Sequence, residues 1–300
     1  MLTSRTFLAV ALAVLSVGAS PIQLSKRQSI TALTSAQINA FTAFTHFAST
    51  AYCQPSTTSS WTCGANCNAN SDFIPTASGG NGGSVQFWYV GFSPSQGSVI
   101  VGHQGTDTSE IEALLTDAQA IQKNLDSGLF PGVPSSVEVH GAKSLTASQT
   151  STASAVLSAV RTTISRHGAS RVTIVGHSLG CAIAMLDGIY LPLHISGVTF
   201  RTIGYGCPRV GNAEFANYVD SHSDFTHINN KKDIVPILPG RFLGYAHAAG
   251  EVHISENNQW LSCPGHDNTS SQCIVGDVPN IFEGNPDDHS GPYNGITMGC

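Results

Sequence analysis

The pentapeptide Gly176-His177-Ser178-Leu179-Gly180 constrains the fold of this 300-residue chain more than any other feature. The apolar run Arg171–Val175 precedes it, and a series of small and apolar residues, Cys181–Leu186, follows it. This context predicts a buried strand, a sharp turn and a helix, with glycines where side chains would clash in the turn. The serine would then project at the carboxyl edge of a sheet, above the amino end of a helix.

A serine in this position becomes a nucleophile only if a base takes its proton and a carboxylate fixes the base. In a strand–turn–helix setting the chain order is serine, acid, histidine. Asp233 follows the strand-like segment 225–228 and is our choice of acid, although a turn-capping role would also explain it. His289 lies in a turn-rich segment and is the preferred base, whereas His247 is a rival that spacing alone does not exclude.

Acyl transfer also needs hydrogen-bond donors for the oxyanion. One donor is the backbone N–H of Leu179, the residue after the serine. The strand-like segment 98–101 ends in Gly102-His-Gln-Gly-Thr106, and Thr106 offers both an N–H and a hydroxyl. Leu179 is therefore one predicted oxyanion donor and Thr106 a candidate for the second, although a threonine in a Gly-rich turn is otherwise unremarkable.

The next segment has the spacing of a short amphipathic helix. Ile111, Leu114 and Leu115 fall on one helical face, and acidic residues lie elsewhere. This segment is a candidate lid that exposes an apolar face to lipid. An ordinary helix packed on the core would show the same pattern, and both interpretations stay open.

Strand-like and helix-like segments alternate along the rest of the chain. Residues 85–92, 172–175 and 198–205 are strand-like, and residues 148–166 carry apolar side chains at helical spacing. This alternation predicts the α/β class, with a predominantly parallel central sheet flanked by helices. Neither a repeat period nor a charged or Pro-rich linker divides the chain, which favours one domain.

The N-terminus has the pattern of an export signal rather than of folded structure. Residues 1–20 combine Arg5, an apolar run and small residues, and residues 21–27 form a predicted propeptide that ends in Lys26-Arg27. Removing both segments leaves residues 28–300 as a single domain. It also removes three basic residues and no acidic one, so the formal charge of −6 becomes −9. Without a basic block, a nucleic-acid partner is not expected, and no later apolar run is long enough to span a bilayer.

Eight cysteines agree with export. Cys63 with Cys67 and Cys263 with Cys273 are plausible local disulfides in polar loops, and the sequon at Asn268 is a glycosylation candidate within the second loop. Cys181 and Cys207 lie in apolar stretches and are predicted to be buried free thiols. Cys53 and Cys300 would then pair, although sequence alone does not fix the connectivity.

Taken together, these motifs resemble the fungal class 3 lipase family, which also contains feruloyl esterases. The resemblance runs from about Phe41 to Cys300. It is carried, in order, by Ala51-Tyr-Cys53, Trp61-x-Cys63 with Cys67, Gly105-Thr106, Gly176–Gly180, Gly206-Cys-Pro-Arg-Val-Gly-Asn212, Asp233-Ile-Val-Pro236, Leu238-Pro239, Gly244-Tyr-x-His247 with Glu251, and Asp288-His289.

The resemblance implies an α/β-hydrolase fold and a serine carboxylester hydrolase with Ser178, Asp233 and His289 as the triad. It also implies Thr106 and Leu179 as the oxyanion pair, and a structural use for the stretch that contains His247. The implied disulfides are Cys53–Cys300, Cys63–Cys67 and Cys263–Cys273.

Three departures from the family pattern stand out. His103-Gln104 replaces the usual Phe-Arg before the oxyanion residues, residues 107–120 contain no aromatic side chain, and Cys181 occupies a position where glycine is common. None of them touches the predicted triad. They leave lid behaviour and chain-length preference open.

We therefore predict a secreted enzyme that hydrolyses carboxylic esters, with acylglycerols, including triacylglycerols, as the leading substrates, through an acyl-serine intermediate. The alternatives are a feruloyl-type esterase for soluble aromatic esters and a catalytically idle binding protein on the same fold. The protein would be a monomer without metal or organic cofactor. Its partner would be a lipid or other ester substrate, which it could meet at an oil–water interface.

Overall fold

The computed structural model describes residues 29–106, 121–141 and 143–300. The predicted signal peptide and propeptide, and the candidate lid residues Ile111, Leu114 and Leu115, lie outside these ranges. The strands are, in chain order, β1 (Thr31–Ala32), β2 (Ile74–Gly79), β3 (Trp88–Ser93), β4 (Ser98–His103), β5 (Gln122–Asn124), β6 (Glu138–His140), β7 (Arg171–His177), β8 (Thr199–Tyr205), β9 (Gly211–Asn212), β10 (Asp224–Asn230), β11 (Tyr245–Ala246), β12 (Glu251–Ile254) and β13 (Trp260–Cys263). The helices are α1 (Ser35–Thr50), α2 (Pro55–Thr58), α3 (Ala65–Ala69), α4 (Lys143–His167), α5 (Leu179–His194), α6 (Ala213–His222) and α7 (Ile274–Asp277).

Nine of the described strands form the central sheet, in the order β1-β13-β12-β10-β8-β7-β4-β3-β2. Strands β4, β7, β8, β10 and β12 run parallel, and antiparallel strands complete both sides. A small second sheet has the order β11-β9-β6-β5. The predicted predominantly parallel sheet is confirmed, and the carboxyl ends of β4, β7, β8 and β10 meet at one edge.

Helices cover both faces of the sheet. Helix α1 begins with a capping box between Thr34 and Gln37 and buries Phe41, Phe44 and Phe47 against one face. On the other face, α5 is buried from Leu179 to Leu191 because α4 packs over it. An apolar helix of this kind has no stable place at the surface of a water-soluble domain. In the described ranges, no helix combines the length and the apolar character of a membrane span.

All eight cysteines are disulfide-bonded, which corrects one prediction. Cys181 and Cys207, expected to be free thiols, form a fourth bond with their Cα atoms 5.4 Å apart. Cys181 lies in the first turn after β7 and Cys207 two residues after the adjacent parallel strand β8. The parallel pairing of β7 and β8 brings them together, and burial in an apolar stretch suits a disulfide as well as a thiol.

Candidate active site

Ser178 lies on a strained turn between β7 and α5. Its φ of 58° and ψ of −128° are in a region that residues with a side chain rarely adopt. A Cβ atom on Gly176 would lie 2.1 Å from the carbonyl oxygen of Gly180, and one on Gly180 would lie 2.3 Å from the carbonyl oxygen of His103. Both glycines are therefore required by close backbone approach. The strain, of order 1–3 kcal/mol, is held by the surrounding sheet.

His289 and Asp233 form a buried hydrogen-bonded pair. The Nδ1–H of His289 donates to Asp233 Oδ2 at 2.8 Å, and the side chains are 1% and 0% exposed. The other carboxylate oxygen, Oδ1, accepts from the backbone N–H of Val235 at 2.9 Å. With Nδ1 protonated, Nε2 of His289 carries the lone pair, so this nitrogen is the one that can accept a proton.

Two of the buried atoms that lack hydrogen-bond partners among the described residues belong to the predicted triad. They are Ser178 Oγ and His289 Nε2. Unpartnered buried polar atoms are rare in folded proteins because each costs free energy. An unpartnered hydroxyl and an unpartnered imidazole lone pair are the two groups that general-base activation requires. The hydrogen bond between such groups is often long before substrate binds.

Gly206 lies between the serine turn and the His289–Asp233 pair. The backbone N–H of Ser178 donates to the carbonyl of Tyr205, the residue before Gly206, at 2.9 Å. A Cβ atom on Gly206 would lie 2.8 Å from His289 Cε1 and 2.9 Å from Asp233 Oδ2, and its φ is +50°. A side chain here would displace the pair.

His177 holds the histidine loop against the serine turn. Its Nδ1 accepts from the hydroxyl of Tyr52 at 2.6 Å, and its Nε2–H donates to the carbonyl of His289 at 2.8 Å. Burial, and then the proximity of His289, hold the pKa of His177 well below its usual value. His177 is therefore neutral and places no positive charge of its own beside His289.

The predicted oxyanion residues lie beside Ser178. A Cβ atom on Gly105 would be 3.0 Å from the Cβ of Ser178, so the loop after β4 packs directly on the serine turn. Thr106 Oγ1 is buried and lacks a partner among the described residues. Leu179 is the first residue of α5, where backbone N–H groups have no intrahelical acceptor. Both residues can thus donate to an oxyanion.

Gln104, one of the departures from the family pattern, holds this loop. Its side-chain oxygen accepts from the backbone N–H of Phe87 at 2.8 Å, and its own N–H donates to the carbonyl of Phe87 at 2.9 Å. A cavity of about 250 Å³ opens beside it. The cavity is lined by Tyr52, Gln104, Thr106, His177, Ser290, Met298 and Gly299.

A second buried histidine–carboxylate pair was missed by the sequence reasoning. His103 Nε2 lies 2.8 Å from Asp187 Oδ2, with the side chains 2% and 1% exposed, and Gln149 donates to Asp187 Oδ1 at 3.2 Å. The available signal was Asp187 itself, a lone charged residue within an otherwise apolar helix. The pair joins the strand that leads into the oxyanion loop to the helix that follows Ser178.

His247, the rival base, belongs to a different buried cluster. Its Nε2–H donates to the carbonyl of Pro236 at 2.7 Å, and its ring stacks on His227 with centroids 4.8 Å apart. Asp267 accepts from the backbone N–H of His247 and is paired with Arg209. Burial first, then Arg209, lowers the pKa of His247 to about 4. These contacts suit a structural histidine.

One group among the described residues has metal-like spacing: Glu251, Cys263 and Cys273. The two sulfurs are bonded to each other, so neither is available as a thiolate ligand. Glu251 instead accepts from the backbone N–H of Ile274 at 2.7 Å, and burial raises its pKa to about 7. The sequon residue Asn268 lies in the loop that this disulfide closes, and its side chain bonds Pro264 and Ser270.

Comparisons with known proteins agree with this geometry. Residues 100–243 match the family model described as lipase (class 3). The secreted mono- and diacylglycerol lipases MDL2 and LIP1 of Malassezia globosa are 34% and 31% identical, covering 67% and 74% of this chain and 66% and 71% of their own lengths. A solved triacylglycerol lipase in which a serine protease triad forms the catalytic centre superimposes with a TM-score of 0.76 at 26% identity, covering 90% of this chain and 98% of that one.

A mostly parallel sheet, flanking helices and a serine on a strained strand–helix turn define the α/β-hydrolase class. Within that class, the chain belongs to the fungal class 3 lipase family. It is a secreted serine ester hydrolase.

Proposed function

We propose that this enzyme hydrolyses acylglycerols with Ser178 as nucleophile, His289 as general base and Asp233 as the carboxylate that orients it. One observation carries the proposal. His289 is fixed by a 2.8 Å bond to Asp233, while its Nε2 and the Oγ of Ser178 are both buried and lack partners among the described residues. This is the arrangement in which a serine hydroxyl can lose its proton to an imidazole.

The reaction follows from these positions. As Ser178 Oγ attacks the ester carbonyl carbon, its proton passes to His289 Nε2, and Asp233 stabilises the resulting imidazolium. The N–H of Leu179 and the Thr106 donors receive the developing oxyanion. Collapse of the tetrahedral intermediate breaks the carbon–oxygen bond, and His289 returns its proton to the departing alkoxide. Water, activated by the same histidine, then hydrolyses the acyl-serine to free acid and enzyme.

The substrate class is inferred from the relatives, which are named for mono- and diacylglycerols, and from the solved triacylglycerol lipase. A lipid substrate in an emulsion places the enzyme at an oil–water interface, where we propose that it acts as a monomer. Feruloyl-type esters are the competing substrate class, and an idle scaffold is the competing class of function.

We further propose that the mature enzyme spans residues 28–300 as one domain, after loss of the signal peptide (1–20) and the propeptide (21–27). Asn268 is the proposed glycosylation site. N-terminal sequencing and intact-mass measurement of the secreted protein test both statements.

The proposal is tested by rates on emulsified acylglycerols, soluble short-chain esters and feruloyl esters, measured for the wild type and Ser178→Ala. We expect acylglycerol hydrolysis that falls about 10⁶-fold in Ser178→Ala, because removal of a nucleophile leaves only residual catalysis. Turnover confined to feruloyl esters would mean that these esters, and not acylglycerols, are the substrates. A wild type that hydrolyses none of the three would indicate the idle scaffold.

A further inference from the structure

Two phenylalanine side chains are almost completely exposed. Phe242 is 89% and Phe282 is 91% exposed, far more than the other exposed large apolar residues of the described chain. Folding therefore leaves their apolar surface in water. Exposed apolar surface of this kind is a feature of surfaces that meet a partner or a membrane.

Both rings lie on the loops that carry the proposed acid and base. Phe242 is in the 3₁₀ turn Arg241–Leu243, nine residues after Asp233, and Phe282 is in the 3₁₀ turn Ile281–Glu283, seven residues before His289. Asp233 itself follows the carboxyl end of β10 by three residues. Both turns thus belong to chain segments that lead from or towards the edge of the sheet where Ser178 lies.

The two loops are joined to each other and are rigidly supported. The backbone N–H of Asn285 donates to the carbonyl of Lys232 at 2.7 Å, which ties the segment after Phe282 to the loop before Asp233. Beneath both loops lies a separate apolar cluster. It consists of Ile234, Val235, Ile237, Leu238, Ile274, Val275 and Val278, with Ile281 packed against it. Phe282 therefore directly follows a residue that packs on this cluster, and Phe242 follows the cluster residue Leu238 by four positions.

A second exposed apolar pair lies next to Phe242. The carbonyl of Leu243 accepts from the side-chain amide of Gln122 at 3.4 Å, which places Ile121, the preceding residue, nearby. Ile121 is 60% and Leu243 44% exposed. The exposed surface is thus a group of apolar side chains rather than isolated rings.

The charges around these loops indicate what kind of surface would receive them. Lys232 and Arg209 are paired with Asp277 and Asp267, respectively. Lys231 and the exposed Arg241 are matched in number by Glu283 and Asp287, so the charges on these loops balance. Anionic membranes attract clusters of Lys and Arg, and the chain as a whole carries a formal charge of −6. The surface is suited to an electrically neutral lipid.

We propose that Phe242 and Phe282 insert into an electrically neutral lipid–water interface and so turn the catalytic edge of the sheet towards its substrate. Aromatic and aliphatic side chains on the face of a peripheral protein bind at the boundary between headgroups and acyl chains in this way. This inference rests on the proposed function, because a lipid surface is the place where an acylglycerol substrate is found.

The test compares Phe242→Ser, Phe282→Ser and the double variant with Ile74→Ser. Ile74 is 41% exposed, but it lies opposite Phe92, which lies opposite Val99 at the amino end of β4, so it occupies the other edge of the sheet. Binding to vesicles of phosphatidylcholine and of phosphatidylglycerol is measured by flotation. The ratio of the rate on emulsified diacylglycerol to kcat/KM on a soluble short-chain ester is measured alongside.

We expect each single variant to bind phosphatidylcholine about tenfold more weakly, and the double variant about a hundredfold, from the lost transfer of the rings. The emulsion-to-soluble ratio should fall with binding, and Ile74→Ser should match the wild type. Equal binding of the wild type and the double variant would overturn the proposal. So would tighter wild-type binding to phosphatidylglycerol, or a wild-type dimer that only the Phe variants dissociate. Failure of the proposed function looks different, since the wild type would then hydrolyse neither ester.

Discussion

Two buried histidine–carboxylate pairs lie close to the serine turn and have the same 2.8 Å separation, but their surroundings differ. In the His289–Asp233 pair, the histidine nitrogen remote from the acid is buried without a partner among the described residues, near a serine hydroxyl in the same condition. In the His103–Asp187 pair, the acid is instead shared with Gln149 between two packed helices. A histidine–acid pair is thus not a catalytic centre by itself. What distinguishes the first pair is an available lone pair beside a nucleophile.

The largest difference between the pairs should appear when each carboxylate is neutralised without a change of shape. We expect Asp233→Asn to lower kcat on a soluble ester by about 10⁴-fold, because the amide favours the wrong tautomer of His289. Asp187→Asn should change kcat less than tenfold. Steady-state kinetics on the two purified variants measure both values, and a similar loss of kcat in each would show that the two pairs do not differ in catalytic role.

The second pair should matter for stability. We expect Asp187→Ala to lower the free energy of unfolding by about 3–5 kcal/mol, because a buried histidine loses its partner. Replacing both residues, in His103→Phe with Asp187→Ala, should recover most of that loss, since an apolar core tolerates the change. Urea denaturation of the single and double variants is the measurement. A double variant no more stable than Asp187→Ala would mean that the pair has a role other than satisfying each other's hydrogen-bonding groups.

The Cys181–Cys207 bond connects the two regions, because it joins the helix that contains Asp187 to the loop after β8 that contacts the His289–Asp233 pair. Its sequence separation of 26 residues predicts a loss of about 3.5 kcal/mol when both cysteines become alanine. The four-residue separation of Cys63 and Cys67 predicts about 2 kcal/mol for the matched control. Chemical denaturation under non-reducing conditions checks the order, and an equal or reversed order would contradict the loop-entropy account.

Two further buried histidines, His227 and His247, should make the protein less stable in acid. Burial lowers the pKa of His227 to about 3 and, with Arg209 as the next cause, that of His247 to about 4. The unfolded chain binds protons at these residues below about pH 6.5 and the folded chain does not, so stability is lost as the pH falls from 6.5 towards 4. Each residue should contribute a slope of up to about 1.4 kcal/mol per pH unit.

The variant His227→Phe isolates this effect, because it keeps a ring stacked between Phe225 and His247. Between pH 6.5 and 4, the slope of the unfolding free energy against pH should be smaller than in the wild type by up to about 1.4 kcal/mol per pH unit, the contribution of one proton. An unchanged slope would show that His227 is protonated in the folded state.

How far the sequence predicts this structure depends on whether a feature is specified by neighbouring residues or by contacts between distant ones. The strand, turn and helix around Ser178 were predictable because local glycines, apolar residues and chain order specify them. The Cys181–Cys207 bond and the His103–Asp187 pair were not, because each depends on which strands and helices become neighbours. Burial of Cys181 was read correctly, but its bonding was not. The exposure of Phe242 and Phe282 was not predictable either, since a sequence does not reveal which apolar residues remain outside the core.

The most direct test of the central claim is the reaction with diethyl p-nitrophenyl phosphate, followed by mass spectrometry of the peptide that contains Ser178. Our prediction is one diethylphosphoryl group per molecule on Ser178, formed at least about 10³-fold more slowly in His289→Gln and at nearly the wild-type rate in His103→Gln. Label on another residue, or equal rates in the wild type and His289→Gln, would contradict it.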